Sequence, residues 1–555
     1  MPDMRVDFNP VSRVAGGLAF HTTVDLERGE VLEAGSMATI FRGYEVVLKG
    51  RDPQDAIFVA SRACGVCGGA HATASAMACE MAFGIQPPPM GIVARNLLLA
   101  LECLCDLPTH LFVRAGPDFS EPVVRATNPE VWERAQGTPA PGYAMHGYER
   151  IADLMTAMTL FAGELHEEAL AMSRTAREGY VLIGGKYPHP QTSVPGGLSA
   201  HPGRQEMNVM MLRVVPFMDY AKKVVAIWDD LVDFFLEADP RFAQVGAGPM
   251  NFLDLGAWDD AYAYDGTFEN APTWGERRYS TPGAIVDGRL RTTNLHQINA
   301  SIEEFVGHSF YDEWSRDGNH FPTDPVGNRL SPNHPWNKQT LPRPSGTRWP
   351  EKYSWSTAPR WDGHPMETGA YARLWVTALA DKLPHRRFAE PTGHSLKMSV
   401  PQGAMPEAQI EWHAPGSWGA FERNRARAYA LAHSALVAYE SVLEAYDLLR
   451  KGGPDAKVST HYTIPKDSRV GVGFWGGGRG YVSHHLEISS RVIQNYQILG
   501  PSTFAASPRD GSGTPGPIEQ AVAATPLLSS AHPESCIDVL RAIRSFDPCL
   551  PCATH

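Results

Sequence analysis

Long apolar runs are missing from these 555 residues. None approaches the ~18 residues that a membrane-spanning helix needs. The N-terminus, Met1-Pro2-Asp3-Met4-Arg5, lacks the charged-then-apolar plan of a secretory signal. A basic surplus is missing too. Lys plus Arg is 49 against 61 Asp plus Glu, a net charge of −12, which excludes a general nucleic-acid binder and a patch for anionic lipid. Cysteine is scarce: eight residues are too few for a disulfide scaffold in a chain this long. No internal repeat or low-complexity tract is found. The chain is therefore expected in the cytoplasm, or at a membrane only through a partner.

What is present is globular. Hydrophobic residues make up 43% and charged residues 20%, enough for a large core. The patterning predicts an α+β, mainly α, fold with a central bundle of long helices. Residues 17 to 50 alternate as strands. Helices are expected over 89 to 105, 147 to 178, 206 to 238 with a kink at Pro216, and 419 to 451, stopped by Gly452-Gly453-Pro454. The apolar stripe of the second carries Ile151, Leu154, Met155, Met158, Phe161 and Leu165. Residues 240 to 365, rich in Pro, Trp, Gly and Asn, read as an irregular, β-containing elaboration on one large domain spanning 1 to 555. Residues 505 to 518 read as a loop.

The cysteines carry the chemistry. Cys64 and Cys67 form one CxxC pair, and Cys549 and Cys552 another, with 481 residues between Cys67 and Cys549. Each pair is followed by a histidine: His71 lies four positions after Cys67, and His555 three after Cys552. Four thiolates suit a soft or borderline metal, and a nearby histidine can ligate it or hydrogen-bond a thiolate. A structural zinc site is the plainest use of paired CxxC. Zinc ribbons close short loops, however, and a chain terminus is a poor place for a ligand unless it is tied down. The remaining cysteines, Cys79, Cys103, Cys105 and Cys536, have no motif and are expected as small buried hydrophobes.

Arg62-Ala63-Cys64-Gly65-Val66-Cys67, ending on His71, and Asp547-Pro548-Cys549-Leu550-Pro551-Cys552, ending on His555, resemble the two signature motifs of the large subunit of nickel–iron hydrogenases. Other segments resemble that family in order along the chain. They are Phe41-Arg42-Gly43-Tyr44-Glu45 with Leu48 to Pro53, Gly184 to Gln191, Ala358 to Gly363 with Pro365-Met366-Glu367, Arg479-Gly480, and Pro501-Ser502-Thr503 with Ser507-Pro508-Arg509. The similarity covers about 10 to 555.

The resemblance implies a catalytic subunit that splits dihydrogen heterolytically into protons and electrons. It makes Cys64 and Cys549 terminal nickel ligands. It makes Cys67 and Cys552 bridges to an iron that carries two cyanides and one carbon monoxide. Cys549 is the thiolate expected to take the proton. Arg479 is expected above the metals, held by Asp106 and Asp547. Ser502 is expected to donate to a cyanide, and His71 to a bridging thiolate. Glu45, His555 and the carbonyl of Ala506 match a magnesium site near the C-terminus. An end at His555 matches a chain matured by proteolysis.

One departure stands out. Where the family usually has a proton-relaying glutamate, this chain reads Arg13-Val14-Ala15-Gly16-Gly17. Alanine cannot relay a proton, so water, another carboxylate or a histidine (His110, His484 or His485) must serve. This string and the long 240 to 365 elaboration suggest a divergent branch of the uptake type. No cysteine arrangement for iron–sulfur clusters remains, which implies an obligate small subunit that carries them and passes electrons to an acceptor, in heterodimers that associate further. Two alternatives stay open: a dihydrogen sensor that signals to a kinase, and a zinc-stapled scaffold subunit.

Overall fold

The computed structural model describes residues 3–314, 320–384 and 386–554. Three strands open the chain as an antiparallel sheet: β1 (Met4–Phe8), β2 (Leu18–Asp25) and β3 (Glu30–Ala38). The expected strand region ends there, and Tyr44–Leu48 is a short helix.

The helical core follows. α1 (Gly68–Phe83) begins directly after Cys67 and is rich in alanine. α2 (Pro89–Thr109) opens on proline, whose missing N–H costs nothing at a first turn. Residues 90 to 108 of α2 are all buried, so it is a central helix and not an amphipathic cover. α3 (Glu164–Gly184), α4 (Arg204–Val214) and α5 (Pro216–Ala238) surround it with α6 (Ala420–Lys451). α6 packs on α2, α4 and α5, and α2 also packs on α3. The bundle thus forms around the α2–α6 pair. Among the described residues no helix is long and apolar enough to cross a membrane.

Two expected helices are divided. The stretch 147 to 178 is Ile151–Ala157 followed by α3. Between them Phe161 has φ 66° and is 80% exposed, although its spacing placed it on the buried stripe. Gly163 turns the chain there, so close to the Ala157 carbonyl that any Cβ would collide with it. Within the stretch 206 to 238, Pro216 lacks the N–H to continue α4 and starts α5, while Val215 between them keeps helical angles (φ −54°, ψ −41°). The region 240 to 365 does contain short strands, among them Phe252–Asp254, Gly283–Val286, Ile302–Phe305 and Ala358–Trp361. Its Trp258, Trp274 and Trp336 are buried. The loop expected over 505 to 518 is shorter, bounded by the helices Pro501–Ala505 and Pro517–Ala523.

Near the C-terminus β4 (Arg469–Gly477), β5 (Gly480–Ser489) and β6 (Val492–Leu499) form an antiparallel meander. β4 lies directly on α1. Gly471 and Gly473 face the carbonyls of Ala78 and Ala74 so closely that a Cβ at either would collide. Glycine on the strand and alanine on the helix permit this approach. It carries the β4–β5 tip, Gly478-Arg479, to the end of α1 where Cys67 sits. α7 (Ile537–Ser545) packs on α6 and delivers the final turn, Leu550–Cys552.

Candidate metal centre

The two cysteine pairs meet. Cys64 Sγ lies 3.4 Å from Cys549 Sγ, and Cys67 Sγ lies 3.1 Å from Cys552 Sγ. Within the pairs, Cys64 to Cys67 is 2.8 Å and Cys549 to Cys552 is 3.3 Å. The four sulfurs lie within 4.8 Å of one another and all four residues are buried. With thiolate–metal bonds near ~2.3 Å, four such sulfurs fit shared metal ions. The described cysteines form no disulfide.

Local structure fixes each pair. Cys67 immediately precedes α1, and Cys67 N donates to Cys64 Sγ at 3.0 Å. The C-terminal pair is tied from three directions. Cys549 N donates to Ser502 Oγ at 2.7 Å, Thr503 Oγ1 donates to the Cys552 carbonyl at 3.0 Å, and Ala15 pairs with the strand-like 548–550 backbone. In that pairing Ala15 N donates to Pro548 O at 3.2 Å and Leu550 N to Ala15 O at 2.9 Å. The terminus is therefore anchored, which answers the objection to a ligand placed there.

Left to one another, Cys549 and Cys67 shift in opposite directions. Hydrogen bonds from Cys552, Cys64 and Cys67 hold the Cys549 thiol well below its usual range, and Arg479 adds to this. The bond to Cys549 is also the main cause that pushes Cys67 up. Cys549 is the favoured thiolate.

Above the sulfurs stands a buried ionic canopy. Arg479 Nη2 donates to Asp106 Oδ1 at 3.1 Å and to Asp547 Oδ1 at 3.2 Å, and Nε donates to the Asp547 carbonyl at 3.0 Å. Arg479 Nη1 is buried without a protein partner among the described residues. Burial pushes the Asp547 carboxyl up, but Arg479, His110 and Arg114 outweigh it and hold it well below the usual range. Arg479 in turn stays protonated, because Asp106 and Asp547 outweigh its desolvation. The expected pairing of Arg479 with both aspartates is thus present.

Arg114 is a member that spacing did not suggest. Its Nη1 donates to Asp106 Oδ1 at 3.0 Å and to Asp547 Oδ1 at 3.1 Å. α2 runs into a π-helical turn, His110–Arg114, which brings Arg114 and His110 back to the canopy. His110 Nδ1 lies 3.3 Å from Asp547 Oδ1, and its Nε2 pairs with Asn424 Oδ1 at 3.0 Å. Glu102 was missed as well, although a second acid one turn before Asp106 in an otherwise apolar run was a visible signal.

The other expected residues scatter around this centre. His71 is buried; its Nδ1 pairs with His484 Nε2 at 2.9 Å, and His484 Nδ1 pairs with Tyr496 Oη at 2.7 Å. Burial pulls the His71 imidazole down to about 4, so it is neutral. His485 pairs with Asn299 Oδ1, away from the sulfurs' described contacts. Arg62 turns back on its own helix end, donating to Phe58 O at 3.1 Å and Ser61 Oγ at 2.7 Å. Glu45 accepts from Ile498 N at 2.8 Å and from Thr340 Oγ1, and burial pushes its carboxyl up to about 8. The Ala506 carbonyl accepts from Ser36 Oγ at 3.2 Å, and no described contact joins it to Glu45. His555 lies outside the described residues. Cys79, Cys103, Cys105 and Cys536 are buried, as expected.

Known proteins give this geometry a family. The chain is 29% identical over its whole length to the periplasmic [NiFeSe] hydrogenase large subunit of Desulfomicrobium baculatum, covering 95% of that protein. It is 30% identical over 99% of its length to the uptake hydrogenase large subunit of Bradyrhizobium diazoefficiens, covering 95% of it. In structure it matches the actinobacterial-type NiFe-hydrogenase of Ralstonia eutropha H16 with a TM-score of 0.96 and 41% identity, each chain covered completely. The profile of the nickel-dependent hydrogenases matches residues 42–138 and 134–555, and with four buried cysteines gathered under Arg479 the chain belongs to that family.

Proposed function

We propose that this chain is the catalytic large subunit of an uptake hydrogenase, which oxidises dihydrogen to protons and electrons and hands the electrons to an iron–sulfur small subunit. The observation that carries this reading is the buried set of four sulfurs within 4.8 Å, beside Arg479, whose charge acts on Cys549 and Cys67 and whose Nη1 has no partner among the described residues. Cys64 and Cys549 would hold nickel, and Cys67 and Cys552 would bridge it to an iron with two cyanides and one carbon monoxide. When bound, this pair supplies an electron-accepting site for dihydrogen.

The chain's own residues then do the following. Cys549 Sγ would take the proton, as the base of the site. Arg479, fixed by Asp106 and Asp547, presents Nη1 over the site at no cost in reorganisation. Ser502 orients Cys549 through its backbone N–H and keeps its own hydroxyl proton for a cyanide. His71, neutral and backed by His484, donates toward a bridging thiolate. Burial of all these groups excludes water and strengthens each polar contact. Glu45 and His555 would bind magnesium, for which a carboxylate is a suitable ligand. The Ala506 carbonyl is the weakest member of that set, since Ser36 already uses it.

The partner would be an obligate small subunit in heterodimers that associate further. The complex would sit in the cytoplasm or at a membrane through a partner. Neither the sensor nor the zinc scaffold is favoured by any feature described above. Metal analysis and infrared spectroscopy of the complex purified with its small subunit test the reading. Nickel with iron in excess of it, since the small subunit's clusters add iron, and carbonyl and cyanide bands are expected. Zinc without nickel would overturn it.

A further inference from the structure

The proton taken at the centre needs a way out, and the position usually used is Ala15. A different buried acid stands close to the canopy, within the influence of Asp106 and Arg479. Glu102 is 1% exposed and lies one helical turn before Asp106 on α2. Its Oε2 accepts from Gly69 N at 2.9 Å and Ala70 N at 3.2 Å, amides of the first turn of α1 beyond Cys67. Its Oε1 is buried and has no partner among the described residues.

That orphan has company. Asp106 Oδ2, Arg479 Nη1 and Tyr180 Oη are also buried without partners among the described residues. Tyr180 Oη and Glu102 Oε2 flank a common point, since a Cβ on Gly69 would collide with both. Each orphan costs ~1–3 kcal/mol if left dry. A set of such atoms on α2, α3 and the β4–β5 tip is the kind of place that ordered water joins.

The series also leads outward. Tyr180 packs edge-on against Tyr187, with ring centres 5.2 Å apart. Tyr187 is half-buried, its Oη is 3.5 Å from the Val66 carbonyl, and the exposed Arg177 covers its ring.

We propose that Glu102 is the proton-relay carboxyl of this protein, receiving the proton from the Arg479–Asp106 canopy at Oε1 and passing it toward Tyr180, Tyr187 and solvent. This rests on the hydrogenase reading. The balance is simple: Glu102 gains one proton on the canopy side, loses one on the tyrosine side and returns to carboxylate. No electron moves.

The charged and titratable groups facing Glu102 are Asp106 on its own helix, Arg479 from the β4–β5 tip, Tyr180 on α3 and Tyr187 beyond it. Burial is the main cause that pushes the carboxyl up, to about 8. The amides of Ala70 and Gly69 and the charge of Arg479 oppose it, and Asp106 reinforces it. A group with that affinity both takes and gives a proton near neutral pH. A carboxylate serving only to cap α1 would need Oε2 alone.

The test uses the purified complex with its small subunit. Glu102→Gln keeps the volume and an oxygen for the Gly69 and Ala70 amides but cannot carry the proton. Full nickel and iron content with unchanged carbonyl and cyanide bands is expected. Dihydrogen-driven dye reduction and deuterium exchange with water should fall roughly hundredfold. A protonated-carboxyl infrared band of the parent, which shifts in D2O, should vanish. Glu102→Asp should regain part of the rate with a displaced pH profile. Tyr180→Phe removes one hydroxyl without touching the α1 cap, and should raise the solvent isotope effect even if Glu102→Gln fails to assemble. The proposal is overturned if Glu102→Gln turns over within twofold of the parent. It is also overturned if activity falls only in step with nickel content, or if Tyr180→Phe leaves the isotope effect unchanged. Failure of the hydrogenase reading would look different, because the parent itself would then lack nickel or dihydrogen oxidation.

Discussion

Arg479 is held at three points by two aspartates, and that geometry depends on a planar fork. Lysine offers a single ammonium on a flexible stem. Arg479→Lys is therefore expected to assemble the metal centre but lose roughly hundredfold or more in dihydrogen oxidation, measured by dye reduction at matched nickel content. Near-normal turnover would remove Arg479 from the mechanism. Asp547→Asn should slow turnover less, because Asp106 still holds the guanidinium. The cysteines of this site were legible because CxxC spacing is local and chemically narrow. Arg479 and both aspartates were legible only through resemblance. Arg114 was not legible at all, since its place depends on a π-helical turn that no periodicity announces. Glu102 was in plain view as an acid in an apolar run, and only the fold shows that it faces the start of α1.

At the scale of elements, the contact between β4 and α1 decides where Arg479 lands. Gly473 leaves no room for a side chain over the Ala74 carbonyl. Gly473→Val should lift the hairpin and destabilise the chain by about 1–3 kcal/mol, the range for an overpacked site. Thermal unfolding measures the loss. Because the hairpin carries the canopy, activity should fall further than stability. A variant with parental melting and activity would refute this account of the contact. Periodicity located the bundle helices well, since long apolar stripes are hard to mimic. It failed at 158 to 163, where the stripe continues although the backbone cannot.

The whole molecule binds its outer pieces with buried acids, and these set a pH dependence. Glu519 accepts from Ser36 N at 3.0 Å, from Tyr353 Oη at 3.0 Å and from Gly516 N at 3.3 Å, linking β3 to two distant segments. Burial, against those three donors, pushes its carboxyl up to about 7. A folded-state pKa above the unfolded one means that the folded chain holds its proton longer. The stabilisation is full below the unfolded value near 4.3 and is lost as pH rises toward 7. Its size is at most about 4 kcal/mol. Denaturant midpoints are expected to fall between about pH 4.5 and 7, and Glu519→Gln should flatten that slope. An unchanged slope would exclude Glu519 as its source.

The pairing of Ala15 with Cys549 and of Cys64 with Cys549 joins both ends of the polypeptide at one point. Time enters through that arrangement. A ribosome adding ~5–20 residues per second needs roughly half a minute to a minute and a half to travel from Cys67 to Cys549. Throughout that interval Cys64 and Cys67 wait as an incomplete dithiol, open to air, to stray metal and to each other. Closing a ring of this length carries a modest extra entropy cost, because that cost grows only with the logarithm of length. Delay, more than free energy, is what such a design exposes, and a cell that makes this chain must guard two thiols for as long as translation takes.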